Sequence, residues 1–341
     1  MRVGKNPQTK ISYNNNYTHQ VVMPIYIPNN EGYFKDGFSI LKISLESLIK
    51  TTHSKTYISL VNNGSSKEVV TYLNNLYEAG QIQEVIHTTN IGKNRAIIKA
   101  VKGHNFSLVT ITDADVLFLN NWQSETLRVF NAFPKAGVVG LVPQFKLFNN
   151  FCTNLLVSNF FNKKLQFTSV KNPNAIQCFY KSIGWDSNYN QDYLKKHLTI
   201  TSKENNIEAV VGSGHFVATY KPEVLKLNID IKDNKNLSPK LDRELLDKPV
   251  LEVDGWRLTT TNNFAYHMGN VYEKWMKETL LKLHDKKNEL LNYQALTQLK
   301  TISKIEYFFK NKVAKKVLFN KHINKHFLKF KGLPKAMLNN Y

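Results

Sequence analysis

Cysteine is nearly absent: Cys152 and Cys178 are the only two in 341 residues, and they lack a metal-ligand spacing. That excludes a disulfide framework and predicts reduced thiols in a cytosolic protein. No apolar run reaches the ~18 residues a membrane-crossing helix needs, so none is expected. The N-terminus, MRVGKNPQTKISYNNN, lacks the apolar stretch of a secretory leader. Acidic residues are outnumbered, 26 against 46 Lys and Arg, for a formal charge of +20. This balance favours anionic partners such as nucleic acid, anionic lipid or a phosphorylated substrate. The cations are almost all lysine, however, in a chain rich in Asn and Ile, and an AT-rich coding bias produces the same excess. Charge alone therefore decides nothing. No internal repeat or low-complexity tract is present.

What is present is a regular alternation, with 42% hydrophobic residues to build one large domain or two modest ones. Residues 1–20 are polar and Asn-rich and are expected to be flexible. Residues 21–29 (VVMPIYIPN) predict a strand ending in a Pro-Asn turn. Phe38, Leu41, Leu45, Leu48 and Ile49 follow at helical spacing. TYISLV is a second strand; SKEVVTYLNNLYEAG is a helix with Ser66 as N-cap and Gly80 as its stop. IQEVIHTT, NIGKNRAIIKAVKG and SLVTIT continue as strand, helix, strand. Such a series builds a parallel sheet with helices on its faces. AGVVGLVPQF predicts another strand, residues 150–208 are mixed with NPNAIQ and GWDSNYNQDY as loops, and IEAVVGSGHFVATYKPEVL predicts a strand pair or a strand and turn. LSPKLDRELLDKP predicts a short helix capped by Ser238, and residues 271–341 carry nearly continuous helical patterning.

The chemistry concentrates at SLVTITDADVLFLN, residues 107–120. In an open parallel sheet, ligands bind outside the carboxyl ends of the strands. Asp113 and Asp115 stand at such an end, and residues i and i+2 of an extended turn project to one side. Two close carboxylates repel unless a cation or proton joins them. A divalent, oxygen-preferring ion such as Mg²⁺ or Mn²⁺ relieves that repulsion and also binds a diphosphate. A solvated Asp-x-Asp helix cap is the bland alternative; the buried-type strand before it and the apolar run after it favour metal.

The first 150 residues resemble the GT-A glycosyltransferases, specifically the bacterial-type family 2 of inverting enzymes that use nucleotide-diphosphate sugars. Four motifs carry the resemblance in order: IPN (Ile27–Asn29), LVNNGSS (Leu60–Ser66), NIGKNRAIIKA (Asn90–Ala100) and TDADV. Where the family usually has an acidic pair, this chain has Asn62 and Asn63. The resemblance implies a Rossmann-like, mostly parallel α/β sheet flanked by helices, with a helical C-terminal extension. Residues 21–120 would be the nucleotide-binding half, 121–270 the acceptor half, and 271–341 a basic helical region. Pro28, Asn29, Asn62, Asn63, Asn90, Lys93, Arg95 and Asp113 are then expected to bind the donor. Each also has a plain reading: Asn-Gly is an ordinary turn, and Lys93 and Arg95 also suit a solvated helix start.

An inverting transfer needs a carboxylate to take the acceptor's proton. Asp242 or Glu244, in LDRELLD, stands where the family carries its base, although Arg243 interrupts the expected adjacent pair. An exposed helical charge pattern explains the same residues, and Glu252 and Asp254 are lesser candidates. His267, in FAYHMGN, resembles the histidine that completes the metal shell in many GT-A enzymes, with Asp113 and Asp115; a core histidine among aromatics is the alternative. Gly212 and Gly214 suit close approach of substrate to backbone or a hairpin turn, His215 is an acceptor-side candidate, and Trp185 and Trp256 suit either a sugar face or the core.

Residues 301–341 hold ten Lys, no Arg and one Glu among Phe, Leu, Ile and Val. That composition suits a helix on an anionic membrane surface, or one packed on the catalytic domain. The expectation is a metal-dependent (Mn²⁺ or Mg²⁺) inverting glycosyltransferase that moves a sugar, first of all from a UDP-sugar, to a glycan or lipid-linked acceptor. It would be cytoplasmic, at most peripheral on the inner membrane face, with no nucleic-acid partner. The rivals are a sugar-phosphate nucleotidyltransferase and a non-catalytic glycan- or nucleic-acid-binding protein.

Overall fold

The computed structural model describes residues 16–185, 188–226, 242–285, 291 and 296–341. The proposed Ser238 cap lies outside these residues. Twelve strands are present among them: β1 (His19–Ile25), β2 (Thr56–Asn63), β3 (Glu84–Thr88), β4 (Leu108–Thr112), β5 (Val116–Phe118), β6 (Ala136–Gly140), β7 (Leu165–Ser169), β8 (Lys196–Thr201), β9 (Glu208–Val211), β10 (Val217–Tyr220), β11 (Trp256–Thr260) and β12 (Ala265–His267). Ten form one sheet in the order β3-β2-β1-β4-β10-β6-β11-β9-β8-β7, while β5 and β12 form a separate pair. β1, β2, β3, β4, β6, β8 and β11 point one way; β7, β9 and β10 oppose them.

The β1 register explains why the sheet needs helices on both faces. Val21, Met23 and Ile25 pack with Leu41, Leu45 and Leu48 of α1 (Gly37–Thr51). Val22, on the opposite face, packs with Ala96, Ile97 and Ala100 of α3 (Lys93–Val101). Successive strand residues face opposite ways, so a strand buried on both sides reads as a continuous apolar run. α2 (Lys67–Glu78) completes this half, burying Val69, Leu73 and Leu76. Ser66 occupies its N-cap position without a side-chain cap bond, and Gly80 takes the left-handed backbone (φ +67°) that stops it. α4 (Trp122–Ala132) continues the series.

Three expectations need correction. β1 begins at His19, and His19 and Gln20 are buried, so the ordered domain starts inside the segment expected to be flexible. NPNAIQ is not a loop. After α5 (Thr153–Ser158) it opens α6 (Pro173–Ser182), because Asn172 accepts from the Ala175 N–H at 3.0 Å and Pro173 occupies the first turn. β9 and β10 are not partners: β10 runs between β4 and β6, while β9 joins β11 and β8.

The C-terminal helices pack on the sheet. Leu318, Phe327, Leu328 and Leu333 share a core with residues of β6, β7, β8 and β11. Lys331 donates to the carbonyls of Asn159 and Asn162 at 3.1 and 3.0 Å, and Tyr341 donates to the Asp192 carbonyl at 3.1 Å. Asp254 clamps the same region, accepting from Lys135 at 2.7 Å and Lys310 at 2.9 Å. Burial opposes its ionisation, but these bonds hold its carboxyl below the usual range. Asp254 therefore has a structural task rather than a role as base. Among the described residues no helix is long and apolar enough to cross a membrane.

Lys221 is 2% exposed and donates at 2.7 Å to the carbonyls of both Pro134 and Thr297. Burial pushes its amine down to about 8. Lys221→Met is expected to cost ~1–3 kcal/mol by leaving two buried carbonyls unpaired. The unfolded chain keeps its proton to about pH 10.4, so above pH 8 unfolding requires proton uptake and only the wild type gains stability from Lys221. Urea melts at pH 7.5 and pH 9.5 should therefore show the gap between wild type and variant widening with pH.

Candidate active site

The parallel pairing of β1 with β2 and β4 brings three carboxyl ends together. A cavity of about 370 Å³ opens there, lined by Pro24, Ile25, Tyr26, Ile27, Tyr33, Asn63, Asn90, Lys93, Asp113, Asp115, Gly269 and Asn270 among others. Asp113 and Asp115 stand at its mouth as expected. Lys93, at the start of α3, forms an ion pair with Asp113. Burial works against the lysine's charge, but Asp113 outweighs it and its amine is raised overall. One of the two carboxylates is thus neutralised by the protein itself.

Asp115 meets a different partner. β12 pairs antiparallel with β5, setting His267 opposite Val116, and the Met268 N–H bonds the Asp115 carbonyl at 2.8 Å. His267 Nε2 comes to lie 3.4 Å from Asp115 Oδ2. Ser182, at the end of α6, holds His267 Nδ1 at 2.9 Å, leaving Nε2 to face the carboxylate. Burial raises the Asp115 carboxyl; His267 lowers it and Asp113 raises it further. Asp115 Oδ1 is buried without a hydrogen-bond partner. Among the described residues no group of three His, Cys, Asp or Glu side chains is gathered to hold a metal. Asp115 and His267 nevertheless fit one: an orphaned carboxylate oxygen beside an oriented imidazole is an O,N donor pair acceptable to Mn²⁺. Partial protein ligation, completed by diphosphate oxygens and water, is the usual way such ions are held with nucleotides.

Residues 21–191, half of the chain, match the family model described as Glycosyl transferase family 2. The chain belongs to this family. Among solved structures it is similar to TarS 1–349 of S. aureus in complex with UDP (14% identity, 73% of this chain and 60% of that one, TM-score 0.41). It is also similar to the mannosyltransferase PcManGT from Pyrobaculum calidifontis in complex with GDP-Man and Mn²⁺ (15%, 94% and 74%, TM-score 0.41). GalNAc-T7 with UDP, GalNAc and Mn²⁺ is a third (12%, 74% and 43%, TM-score 0.43). The chain spans 60% of the first of these and 43% of the third, and scores this low identify no ligand for it. No curated protein matches it by sequence.

For this family 2 glycosyltransferase, the donor residues expected from sequence divide. Asn63, Asn90, Lys93 and Asp113 line the cavity; Pro28, Asn29, Asn62 and Arg95 do not. Asn29 accepts from the Glu31 N–H at 3.0 Å, and Arg95 lies exposed on α3. Asn62 accepts from the Ser65 N–H and meets His87 Nδ1, both at 2.9 Å, so it is a turn residue. Asn63 Oδ1 already accepts from the Ile91 N–H at 2.9 Å and Thr88 Oγ1 at 3.3 Å, and its amide donates to Asn90 at 3.2 Å. Both its lone pairs are used, leaving one N–H for a ligand. The aromatic wall was missed: Tyr26 and Tyr33 flank Phe34 edge-on, and the Tyr33 phenol is raised by partial burial and then by the Asp115 and Asp113 charges. The tyrosines of YIPNNEGYF, one and eight residues beyond the end of β1, were the available signal.

On the acceptor side, the turn after β9 carries His215, whose Nε2 lies 4.0 Å from Asp242 Oδ2. Asp242 also acts electrostatically, more weakly than Asp113, on Lys93 of the cavity lining. Glu244 is exposed and paired with Lys248 at 3.0 Å, a surface i,i+4 contact. Of the two base candidates, it is Asp242 that acts on a residue of the cavity lining. Asp247, buried and paired with Arg257, escaped the sequence reading because both look like ordinary helix and strand charges. Trp256 packs partly in the core, whereas Trp185 stacks on Tyr180 (4.9 Å between centroids) with 56% exposure.

The turn itself is tightly built. Gly212 has φ +102°, and a Cβ there would come within 2.5 Å of Leu147. Gly212→Ala is expected to cost ~2 kcal/mol or more through strain and overlap. Differential scanning fluorimetry should show a melting temperature lower by several degrees.

Proposed function

We propose that the protein is a metal-dependent, inverting glycosyltransferase that takes a sugar from a nucleotide-diphosphate sugar, first of all a UDP-sugar. The observation carrying this reading is the unpartnered Asp115 oxygen beside His267, at the mouth of a cavity whose other carboxylate is met by Lys93. Asp115 and His267, with Asp113 nearby, would hold Mn²⁺ or Mg²⁺. Such an ion neutralises charge on a departing diphosphate. Lys93 adds a fixed positive charge at a helix N-terminus, where phosphate oxygens are favoured. Asp242 serves as base: the acceptor oxygen attacks the anomeric carbon, the bond to the diphosphate oxygen breaks, and the acceptor proton passes to Asp242. Direct displacement of this kind inverts the anomeric centre without a covalent enzyme intermediate. The acceptor is the hydroxyl of a glycan or of a lipid-linked saccharide.

Incubation with a panel of nucleotide sugars and Mn²⁺ tests the reading. Release of a nucleoside diphosphate is the expected result, whereas pyrophosphate release would indicate nucleotidyl transfer. Asp115→Ala should lower turnover ~100-fold or more and remove the Mn²⁺ dependence of UDP affinity in calorimetry. No donor turned over with any metal would sink the proposal.

An anionic membrane surface is the further partner we propose. The packed C-terminal helices leave Ile305, Phe308, Phe309 and Phe330 exposed beside Lys304, Lys312, Lys315, Lys316 and Lys329. Lysine around exposed aromatics complements anionic headgroups and the interfacial zone. Flotation with phosphatidylglycerol vesicles should capture the protein and phosphatidylcholine vesicles should not. Phe308→Ser with Phe309→Ser should weaken capture several-fold; equal binding to both vesicle types would count against this partner.

A further inference from the structure

Arg257 is 1% exposed and reaches two neighbouring segments at once. Its Nη1 lies 2.7 Å from Asp247 Oδ1, and its Nη2 donates to the Ser213 carbonyl. Asp247, also buried, closes the helical turn 243–247 that begins next to Asp242. Ser213 belongs to the turn that carries His215. A single guanidinium on β11 therefore joins the segment bearing the candidate base to the segment bearing His215. Two further bonds set that turn: the Gly212 N–H donates to the Arg257 carbonyl at 2.8 Å, and Thr259 Oγ1 donates to the Gly212 carbonyl at 2.7 Å.

Stability alone does not account for this pair. Desolvating two charges offsets much of their attraction, and an apolar pair of equal volume is often as stable or more so. What the pair does achieve is placement. His215 stands between two carboxylates, with Nε2 4.0 Å from Asp242 Oδ2 and Nδ1 3.9 Å from Asp247 Oδ2. Asp247 is committed to Arg257 on its other oxygen, which makes it the fixed post, while Asp242 is the side chain being held. Other groups acting on this cluster include Lys93 from α3, which senses both Asp242 and Asp113, the buried Tyr220 phenol from β10, and the buried Cys152 thiol beside Arg257 and Asp247.

We propose that His215, set beside the Asp247–Arg257 pair, is a positioning residue that orients Asp242. The inference rests on Asp242 as the base. Because His215 is 40% exposed, it can be replaced without opening the core.

The test measures nucleoside diphosphate release in Mn²⁺ from whichever of UDP-glucose, UDP-galactose, UDP-GlcNAc and GDP-mannose is hydrolysed fastest, with water as acceptor. His215→Ala should lower kcat at least ~10-fold while donor KM stays within about twofold, since misorientation affects the chemical step. His215→Gln, which retains bulk and an N–H donor, should fall between wild type and His215→Ala. Unchanged kcat, or a loss that tracks a lower melting temperature or a higher donor KM, would overturn the proposal. Asp242→Asn is the control for the underlying reading and should cost ~10²–10⁴-fold. If it remains active, Asp242 is not the base, whatever His215 does. If no donor is hydrolysed by the wild type, the glycosyl-transfer reading fails and the inference with it.

Discussion

Asp113 and Asp115 end the same strand one residue apart, and their mutual repulsion is the constraint around which the site is organised. The protein answers it asymmetrically. Lys93, brought by the third βα turn, pairs with Asp113, while His267, brought 150 residues later by β12, faces Asp115. One carboxylate is neutralised internally and the other keeps a buried oxygen without a partner. An unpaired buried acceptor is costly where no ligand fills it, and it is this oxygen on which the proposed cation site rests.

The acceptor side follows the same logic with the charges reversed. A buried cation, Arg257, is tolerated because Asp247 meets it, and the pair reaches the surface through His215 and Asp242. The two charge clusters are linked electrostatically by Lys93, on which Asp113 acts most strongly and Asp242 more weakly. The lysines that fasten the C-terminal region, Lys331 and Lys310, are part of the fold, and the exposed ones remain for a surface.

Much of the donor half was legible because its signals are local. Alternating apolar runs, a Gly stop at Gly80 and a DxD after a buried strand each depend on neighbours within a few residues. The N-terminal signal of α6 was also local, since Asn172 and Pro173 are a cap and a first-turn residue, but Asn-Pro-Asn reads equally well as a turn until the helix after it is known. Asn62 and Asn63 illustrate a different limit. Their amides suit a nucleotide as well as a turn; Ser65 and His87 take that of Asn62, and the loop of residues 88–92 takes that of Asn63.

By itself, the sequence determined the strand–helix alternation, the placement of two acids at a strand end, and the family, since period, caps and motif spacing act at short range. Tertiary structure alone decided which charges meet. Asp242 and Glu244 lie two residues apart on one turn, yet one acts on Lys93 of the cavity lining and the other pairs with Lys248 at the surface. Lys93 with Asp113, His267 with Asp115 and Arg257 with Asp247 all join residues far apart in the chain. Such pairs arise from strand order and register, and local pattern carries no information about either.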